Sequence, residues 1–513
     1  MTVEKRGRGR PPNEETLIAR QAIEAHRATK PGLLTNLVKS VKAKYDASGM
    51  GRRMAAWMPR FTSPNTTLSG LPLIRERSRD TTRNDWAGAS GVQKWATTLI
   101  GIGITPRFKR VKDATRKQEL NDLLTDWAAE CDADGVYNLY GLQTLVVRTW
   151  FDGGEAFVRR RRRFLDWNTS VPLQLQVLEG DMVPLLNCDT YQGMPSGNVM
   201  RLGIEFDKRG QRIAYWFYKE HPGEYNQKYD GEVLVRVAAS DVCHVYEPKR
   251  PGQIRGVSES AAVLTRLRNT ADFDDTVLER QKIANLFVGF ITRTLPVAGE
   301  VDRDPLTNEP LDAGGGSPLL GLQPGLIQEL DDGQTMNWSN PPEAGTNYGE
   351  YMRTQNLGTA AGWNIPYELH SGDIANVSDR TLRVLINEFR RLAEQRQWQV
   401  VIPMFCQPAI NWFVEAAVLA GKVGVDEADT VRRVEHSPHG WPNIHPTQDP
   451  QGKQIEIQMG TRSRSSVISE RGDDPDQVDA ERKADMEREK ALGLPNETTQ
   501  PAQQQQTQQG AGQ

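Results

Sequence analysis

The chain has 513 residues, with 63 Lys plus Arg against 66 Asp plus Glu and a net charge of −3. That is too long for one ordinary core and too close to neutral for a protein that coats nucleic acid by charge alone, so any DNA contact must be local. The four cysteines, Cys131, Cys188, Cys243 and Cys406, form no CxxC pair, which fits reduced thiols in a cytosolic setting and excludes a zinc ribbon.

Residues 1–15 mix Gly, Pro and charge and begin a basic N-terminal tail, residues 1–40, expected to be disordered and to carry no apolar signal segment. Within it Lys5, Arg6, Arg8, Gly9, Arg10 and Pro11 look like the core of an AT-hook, which would lay Arg8 and Arg10 into the narrow minor groove of A·T-rich DNA. The composition of a plain basic tail accounts for the same residues. Residues 119–131 place Leu120, Leu123, Leu124, Trp127, Ala128 and Cys131 at helical spacing, and residues 132–135 stop the helix. A second helix is predicted over 139–150, closed by Asp152, Gly153 and Gly154 before a strand holding Ala156, Phe157 and Val158. Arg159, Arg160, Arg161, Arg162 and Arg163 follow that strand. They read as an interface to phosphate or to an acidic neighbour in an assembly, against the plainer reading of a solvated edge.

Residues 173–245 break into short runs, LQLQVL, RLGIEF, IAYWFY and DVCHVY, with a hairpin link at Asp207, Lys208, Arg209 and Gly210, and predict a β-rich block. A helix over 258–284 follows, with a reach of about 40 Å at 1.5 Å per residue; it carries Asp272, Asp274, Asp275 and Glu279 on its polar side. Residues 294–320 are punctuated by Pro and Gly and read as an irregular, protruding segment. Helix resumes after Ser378, where Leu382, Leu385, Ile386, Phe389 and Leu392 keep the period until Pro403. The most apolar stretch, 400–414, is expected to be broken by Pro403 and Pro408 and so to fall short of spanning a bilayer. Residues 496–513 form a Gln-rich tail, and no repeat of fixed period is visible.

The motifs point away from bond chemistry. No GxxxxGK[ST] segment supplies the Lys and hydroxyl that a packaging ATPase needs on its nucleotide. Glu179 with Asp181, or Glu205 with Asp207, would be the acids to offer Mg²⁺ in a nuclease, although acids flanking strands and turns are mostly surface residues. His436, His439 and His445 lie close together, but Pro438, Pro442 and Pro446 interleave them, and a stiff loop with exposed imidazoles is expected rather than a zinc site. No Ser, His and Asp arrangement stands out. The expectation is an α+β protein of several regions without cofactor, metal or catalytic set.

A series of segments in fixed order resembles the lambda-type phage portal family. SRDTTRNDWAGASGVQKWATTLIGIGITPRF (78–108) is similar to the family's opening helix and following strand. LLTDWAAECDADGVYNLYGLQTLVVRTWFDGGEAFVRRR (123–161) is similar to its Trp-containing helix and "DGE" turn, lengthened here to Asp152, Gly153, Gly154 and Glu155. VCHVYEPKRPGQIRGVS (242–258) is the most specific piece, with His244, Arg250, Pro251, Gly252, Gln253, Arg255 and Gly256 on the family's signature. Later segments, GWNIPYELHSGDIANVSDRTLRV and WPNIHPTQDPQGKQIEIQMGTRSRSSVISERGDDPDQV, also match, although Asp379 stands where the family carries a second Ser and His445 where it carries Asp.

The resemblance implies a ring of about twelve subunits at one capsid vertex, a conduit for double-stranded DNA in packaging and ejection. Implied partners are further copies of the chain, the DNA, the major capsid protein, terminase, head-completion or adaptor proteins, and a scaffold or protease; no membrane is implied. It implies a virion location after assembly in the host cytoplasm. Residues 41–250 would be an α+β wing, 251–290 a stem helix, 291–325 a clip, 326–377 a return to the wing, 378–470 a helical channel and crown region, and 471–513 a charged and then Gln-rich tail. Asp272, Asp274, Asp275 and Glu279 would line the channel, because a conduit must not hold its cargo. The competing readings are an enzyme of DNA packaging or processing and a different structural head or connector protein.

Overall fold

The computed structural model describes residues 62–165, 167, 169–225, 233–286, 289–293, 334–338, 347–375 and 377–493. The basic tail with Arg8 and Arg10, the segment 294–320 and the Gln-rich tail therefore lie outside the described residues. Of two compact units, Met1–Ser63 is almost wholly outside them, and Pro64–Gln513 holds the described helices and strands.

Helices α1 (Leu71–Asn84) and α2 (Trp86–Ile100) are separated at Asp85, whose extended backbone stops the first and whose side chain accepts from the Ala87 N–H to cap the second. A short strand β1 (Thr105–Arg107) leads to α3 (Ala114–Glu130), capped by Asp113, and α4 (Leu139–Gly153), capped by Asn138. The sequence reading finds both of these last helices, and Gly154 at φ +85 ends the second. Strands β2 (Ala156–Arg162), β3 (Leu173–Glu179) and β8 (Val242–Val245) form an antiparallel sheet in the order β3-β2-β8. Strands β4 (Val199–Arg201), β5 (Ile204–Phe206), β6 (Arg212–Tyr218) and β7 (Leu234–Ala238) form a second, in sequential order.

Two expectations for this block need correction. The arginines do not follow β2 but extend it: Arg159 to Arg162 pair residue by residue with Gln176 to Leu173 of β3, because the cross-strand ladder overrides local composition. The RLGIEF run is not one strand either. Leu202 at φ +50 and Gly203 at φ +78 turn the chain between Arg201 and Ile204, the geometry of a tight two-residue hairpin.

A 3₁₀ turn (Glu259–Ala262) leads into α5 (Leu264–Leu286), and then come paired strands β9 (Gly289–Arg293) and β10 (Gln334–Trp338). Helices α6 (Tyr348–Gly362) and α7 (Tyr367–Ser371) precede α8 (Asp379–Leu419), the longest rod among the described residues. Ser378 caps it by accepting from the Thr381 N–H, so Asp379 leaves the cap intact. Against expectation, neither proline breaks α8. The segment Gln397–Cys406 is a π-helix, in which the Gln407 N–H reaches back five residues to Ile402, and Pro408 falls at the start of the next α-helical stretch where no donor is needed. α8 is long and apolar enough to cross a membrane by length and composition, yet 67% of its most apolar window is buried inside the protein. After it come α9 (Ala428–Arg432), β11 (Glu435–Ser437), which pairs with β1, α10 (Gln448–Gln458), α11 (Arg464–Glu470) and α12 (Pro475–Leu492).

Two cores meet at β2. Ala156 and Val158 face the larger one, with Trp95, Trp127, Trp150, Trp363 and the apolar half of α8, whereas Phe157 faces the smaller one, with Ile204, Tyr215, Phe217 and Val242. The alternation is the period of two expected of a strand covered on both sides. Trp95 is fully buried, donates to the Trp363 carbonyl at 2.9 Å, meets Phe389 at 5.1 Å and lies under the Arg396 guanidinium at 4.3 Å. Trp95→Ala is therefore expected to cost about 3–5 kcal/mol, measurable as a lower urea midpoint in chemical denaturation.

Candidate functional site

Glu155, at the entry to β2, is fully buried. Its Oε1 accepts from Arg75 of α1 at 2.5 Å and from Arg255 Nε at 2.7 Å. Its Oε2 accepts from His244 Nε2 of β8 and from the Gly256 N–H, both at 2.9 Å. Arg255 also donates to the carbonyls of Leu202, Gly180 and Val183, and Arg75 to the Gly153 carbonyl and to Asp181. The glycines permit the approach: a Cβ on Gly256 would stand 1.9 Å from the Gly154 oxygen, and one on Gly154 2.3 Å from the Val257 carbonyl carbon. The DGGE turn and the RPGQIRG loop thus lie against each other across the sequence.

Burial alone would raise the Glu155 pKa, but Arg255 and Arg75 outweigh it and hold the carboxyl well below its usual range. Burial pushes His244 down to about 4. Its hydrogen bonds agree with a neutral ring, Nε2–H donating to Glu155 while Nδ1 faces Arg212 Nη1 at 3.4 Å. With four donors on one carboxylate, the cluster works as a clamp on α1, the α4–β2 turn, β8 and the loop after it.

Beside the clamp, Glu179, Asp181 and His221 bring possible ligand atoms within 4.8 Å of one another. Arg79 stands between the two acids, with Nη2 at 2.9 Å from Glu179 and 2.5 Å from Asp181. Burial works to raise the Asp181 pKa, and Arg75 and Arg79 reverse it to a lowered value. A guanidinium thus takes the place a cation would need. The other acid pair is split. Glu205 is buried and held by Arg236 at 2.7 and 3.0 Å with Asn198 and Trp216, whereas Asp207 accepts from the N–H groups of its own turn, Arg209 and Gln211.

The histidines do not converge. His436 lies on β11, buried against Gln407 Oε1 at 3.1 Å and pushed by burial to about 4. His439 meets the Trp441 ring at 4.8 Å, and His445 Nδ1 accepts from the Gln448 N–H. The expectation of exposed imidazoles fails: His436 is buried because β11 pairs with β1 over the core, and His439 and His445 are half-buried, with burial lowering the His439 pKa.

The arginine run is partly consumed within the chain. Arg160 reaches Glu415 at 2.7 Å, Arg162 reaches Asp241 at 3.0 Å, and Arg163 donates to Gln174 at 2.7 Å. Burial lowers the Arg159 pKa, with Arg161 adding to the effect. The four acids of α5 also divide. Asp272, paired with Arg268 at 2.9 Å, and Glu279 are two turns apart on one exposed face. Asp274 accepts from the Tyr348 hydroxyl, and Asp275 borders a cavity between α1, α2, α5 and α6.

Sequence reasoning passes over Arg75 and Arg79. Their spacing of four in LPLIRERSRD puts them on one helix side, but neighbouring charges hide which arginines turn inward. Glu155→Gln, which leaves the buried Arg255 guanidinium without its anion and Arg75 with Asp181 alone, is expected to cost about 3–5 kcal/mol in urea unfolding. His244 gives a pH dependence of known sign. Its folded pKa is depressed, so its contribution is complete above about pH 6.5 and is lost as pH falls toward about 4. Comparing urea midpoints near pH 7 and pH 5, roughly the two sides of that window, is expected to show a smaller drop for His244→Asn than for the wild type.

The profile of the family described as "Phage portal protein, lambda family" matches residues 50–397. The chain is 24% identical over 441 residues to the "Probable portal protein" of Halomonas phage phiHAP-1, covering 82% of each chain. It is 20% identical over 509 residues to "Portal protein B" of Escherichia phage lambda, covering 90% of this chain and 93% of that one. Among solved structures it is similar to a chain from "Neck of empty GTA particle computed with C6 symmetry", with a TM-score of 0.43 and 14% identity over 82% of this chain and 97% of that one. With a profile match over 50–397 that takes in every residue of the Glu155 clamp, the chain belongs to the lambda family of phage portal proteins.

Proposed function

We propose that the chain is one subunit of a closed ring of twelve copies, seated at a single vertex of the capsid built by the major capsid protein, through which double-stranded DNA enters and leaves. Terminase and the head-completion or adaptor proteins dock on it in turn, and a scaffold or protease contacts it during assembly in the host cytoplasm. On this reading residues 41–250 and 326–377 make the wing, 251–290 the stem, 291–325 the clip and 378–470 the channel and crown. On the same reading Arg8 and Arg10 touch DNA, and the run Arg159 to Arg163 meets a neighbouring subunit.

The observation that carries the reading is α5. The helix has 23 residues, about 35 Å at 1.5 Å per residue, and it leaves Phe273, Leu278 and Ile283 at 37, 46 and 55% exposure in the lone subunit. Spaced five residues apart, these three point to different sides of the helix, and Phe273 already meets Tyr348 and Tyr351 of α6. Copies of the same helix side by side in a ring cover Leu278, which a lone subunit leaves in water, while the face of Asp272 and Glu279, which also carries Ile283, turns toward the axis. Each phosphate neutralised there would add to DNA binding and slow passage, so acids suit a conduit. The commitment of Glu179 and Asp181 to Arg79, and of Glu205 to Arg236, favours a structural role over a metal-dependent nuclease.

Native mass measurement and electron microscopy of the purified full chain are expected to show rings with an axial opening. Monomer at every concentration, or closed particles without a hole, would count against the proposal. In assembled rings, Asp272→Lys with Glu279→Lys is expected to tighten DNA retention and to steepen its log–log salt dependence by about 0.9 per added phosphate contact. An unchanged salt slope would remove these two residues from the lining.

A further inference from the structure

The β2–β3 hairpin ends in an exposed apolar tip, with Phe164, Leu165 and Trp167 at 75, 71 and 51% exposure. Arg163 lies over the Trp167 ring at 4.5 Å, and Arg161 and Arg162 stand at the tip's base. Exposed aromatic side chains set among arginines are the composition of interface anchors, and a lone soluble subunit seldom leaves such a group uncovered.

The cavity between α1, α2, α5 and α6 has the opposite character. Its volume is about 360 Å³, within the range of roughly 300–1,000 Å³ that bound groups occupy. Leu267, Ala271 and Met352 are among its apolar lining residues, and Trp86, 59% exposed, forms part of its wall. Four acids, Asp80, Asp85, Asp274 and Asp275, border it against the single basic Arg268.

A subunit's hairpin tip cannot reach its own cavity. Ser78 and Thr82 of α1 donate to Asp152 at 2.8 and 3.0 Å, which places the cavity wall near the start of β2. The tip stands beyond the far end of that strand, 7 residues on, or about 23 Å at 3.3 Å per residue.

We propose that the basic, aromatic hairpin tip of one subunit seats in the acidic cavity of the next. The inference rests on the ring reading and deepens it, for a head-to-tail ring requires two different, complementary faces on each subunit. The apolar side chains supply the buried anchor, and the charges around them set register.

The test uses the full chain in a Cys188→Ser background, carrying Trp167→Cys together with Asp80→Cys, under mild oxidation. The expected result is a ladder of covalent multimers up to the full ring, absent when either new cysteine is present alone. Rings seen by native mass measurement without a ladder would overturn this contact while leaving the ring in place. Absence of rings from the wild-type chain would overturn the ring reading itself. As a second readout, Arg161→Glu with Arg163→Glu is expected to shift the population from rings toward monomers, and adding Asp80→Arg and Asp275→Arg to restore rings. Failure of that rescue in a folded chain would also sink the contact.

Discussion

A single buried carboxylate sets the terms on which the rest of the structure forms. Moving Glu155 and two arginines out of water is expensive, and the cost is recovered only if every donor and acceptor finds its partner. The four partners come from α1, from β8 and from the loop after β8, so none of these segments can settle without the others. β2 begins at the residue after Glu155, and the clamp therefore fixes where the sheet shared by both cores starts. Ser258, two residues past Gly256, bonds Phe151 and Ser78 and opens the 3₁₀ turn that launches α5. The direction of the proposed stem is in this way tied to the same charge cluster.

Much of this was legible in the sequence, and for physical reasons. α3 and α4 carry clear helical periodicity and explicit stops, and both are found, although α3 begins five residues before the apolar pattern, at Ala114 after its Asp113 cap, and α4 runs on to Gly153. The hairpin at Asp207 is found because Asp and Gly have the turn chemistry it needs. The segments that resemble the portal family contain Glu155, His244, Arg255 and Gly256, although nothing in their spacing says that they touch. That fact is tertiary, for it depends on two glycine-bearing segments about a hundred residues apart coming into backbone contact.

The misses have a common cause in longer-range pairing. Five consecutive arginines do not read as strand, yet β3 supplies a ladder that takes the first four, Arg159 to Arg162, into β2. Prolines read as breaks, yet a change in hydrogen-bond register lets α8 pass through them. The acids of α5 read as one polar face, but the cover provided by α6 captures Asp274 through Tyr348 and leaves Asp272 and Glu279 outside. In each case the residue behaves as its chemistry requires once its neighbour is known, and the neighbour is what one-dimensional spacing does not contain.

The π-helical stretch in α8 has a geometric effect beyond tolerating Pro403. Each π turn takes in more residues than an α turn, so the stripes before and after it fall out of phase. Upstream, Phe389 and Ala393 meet the core along a narrow line, whereas downstream Ile410, Phe413, Val414 and Ala417 are enclosed. One unbroken rod thereby aims its two halves at different surroundings, as a twisted shaft does, without a loop to absorb the change of bearing.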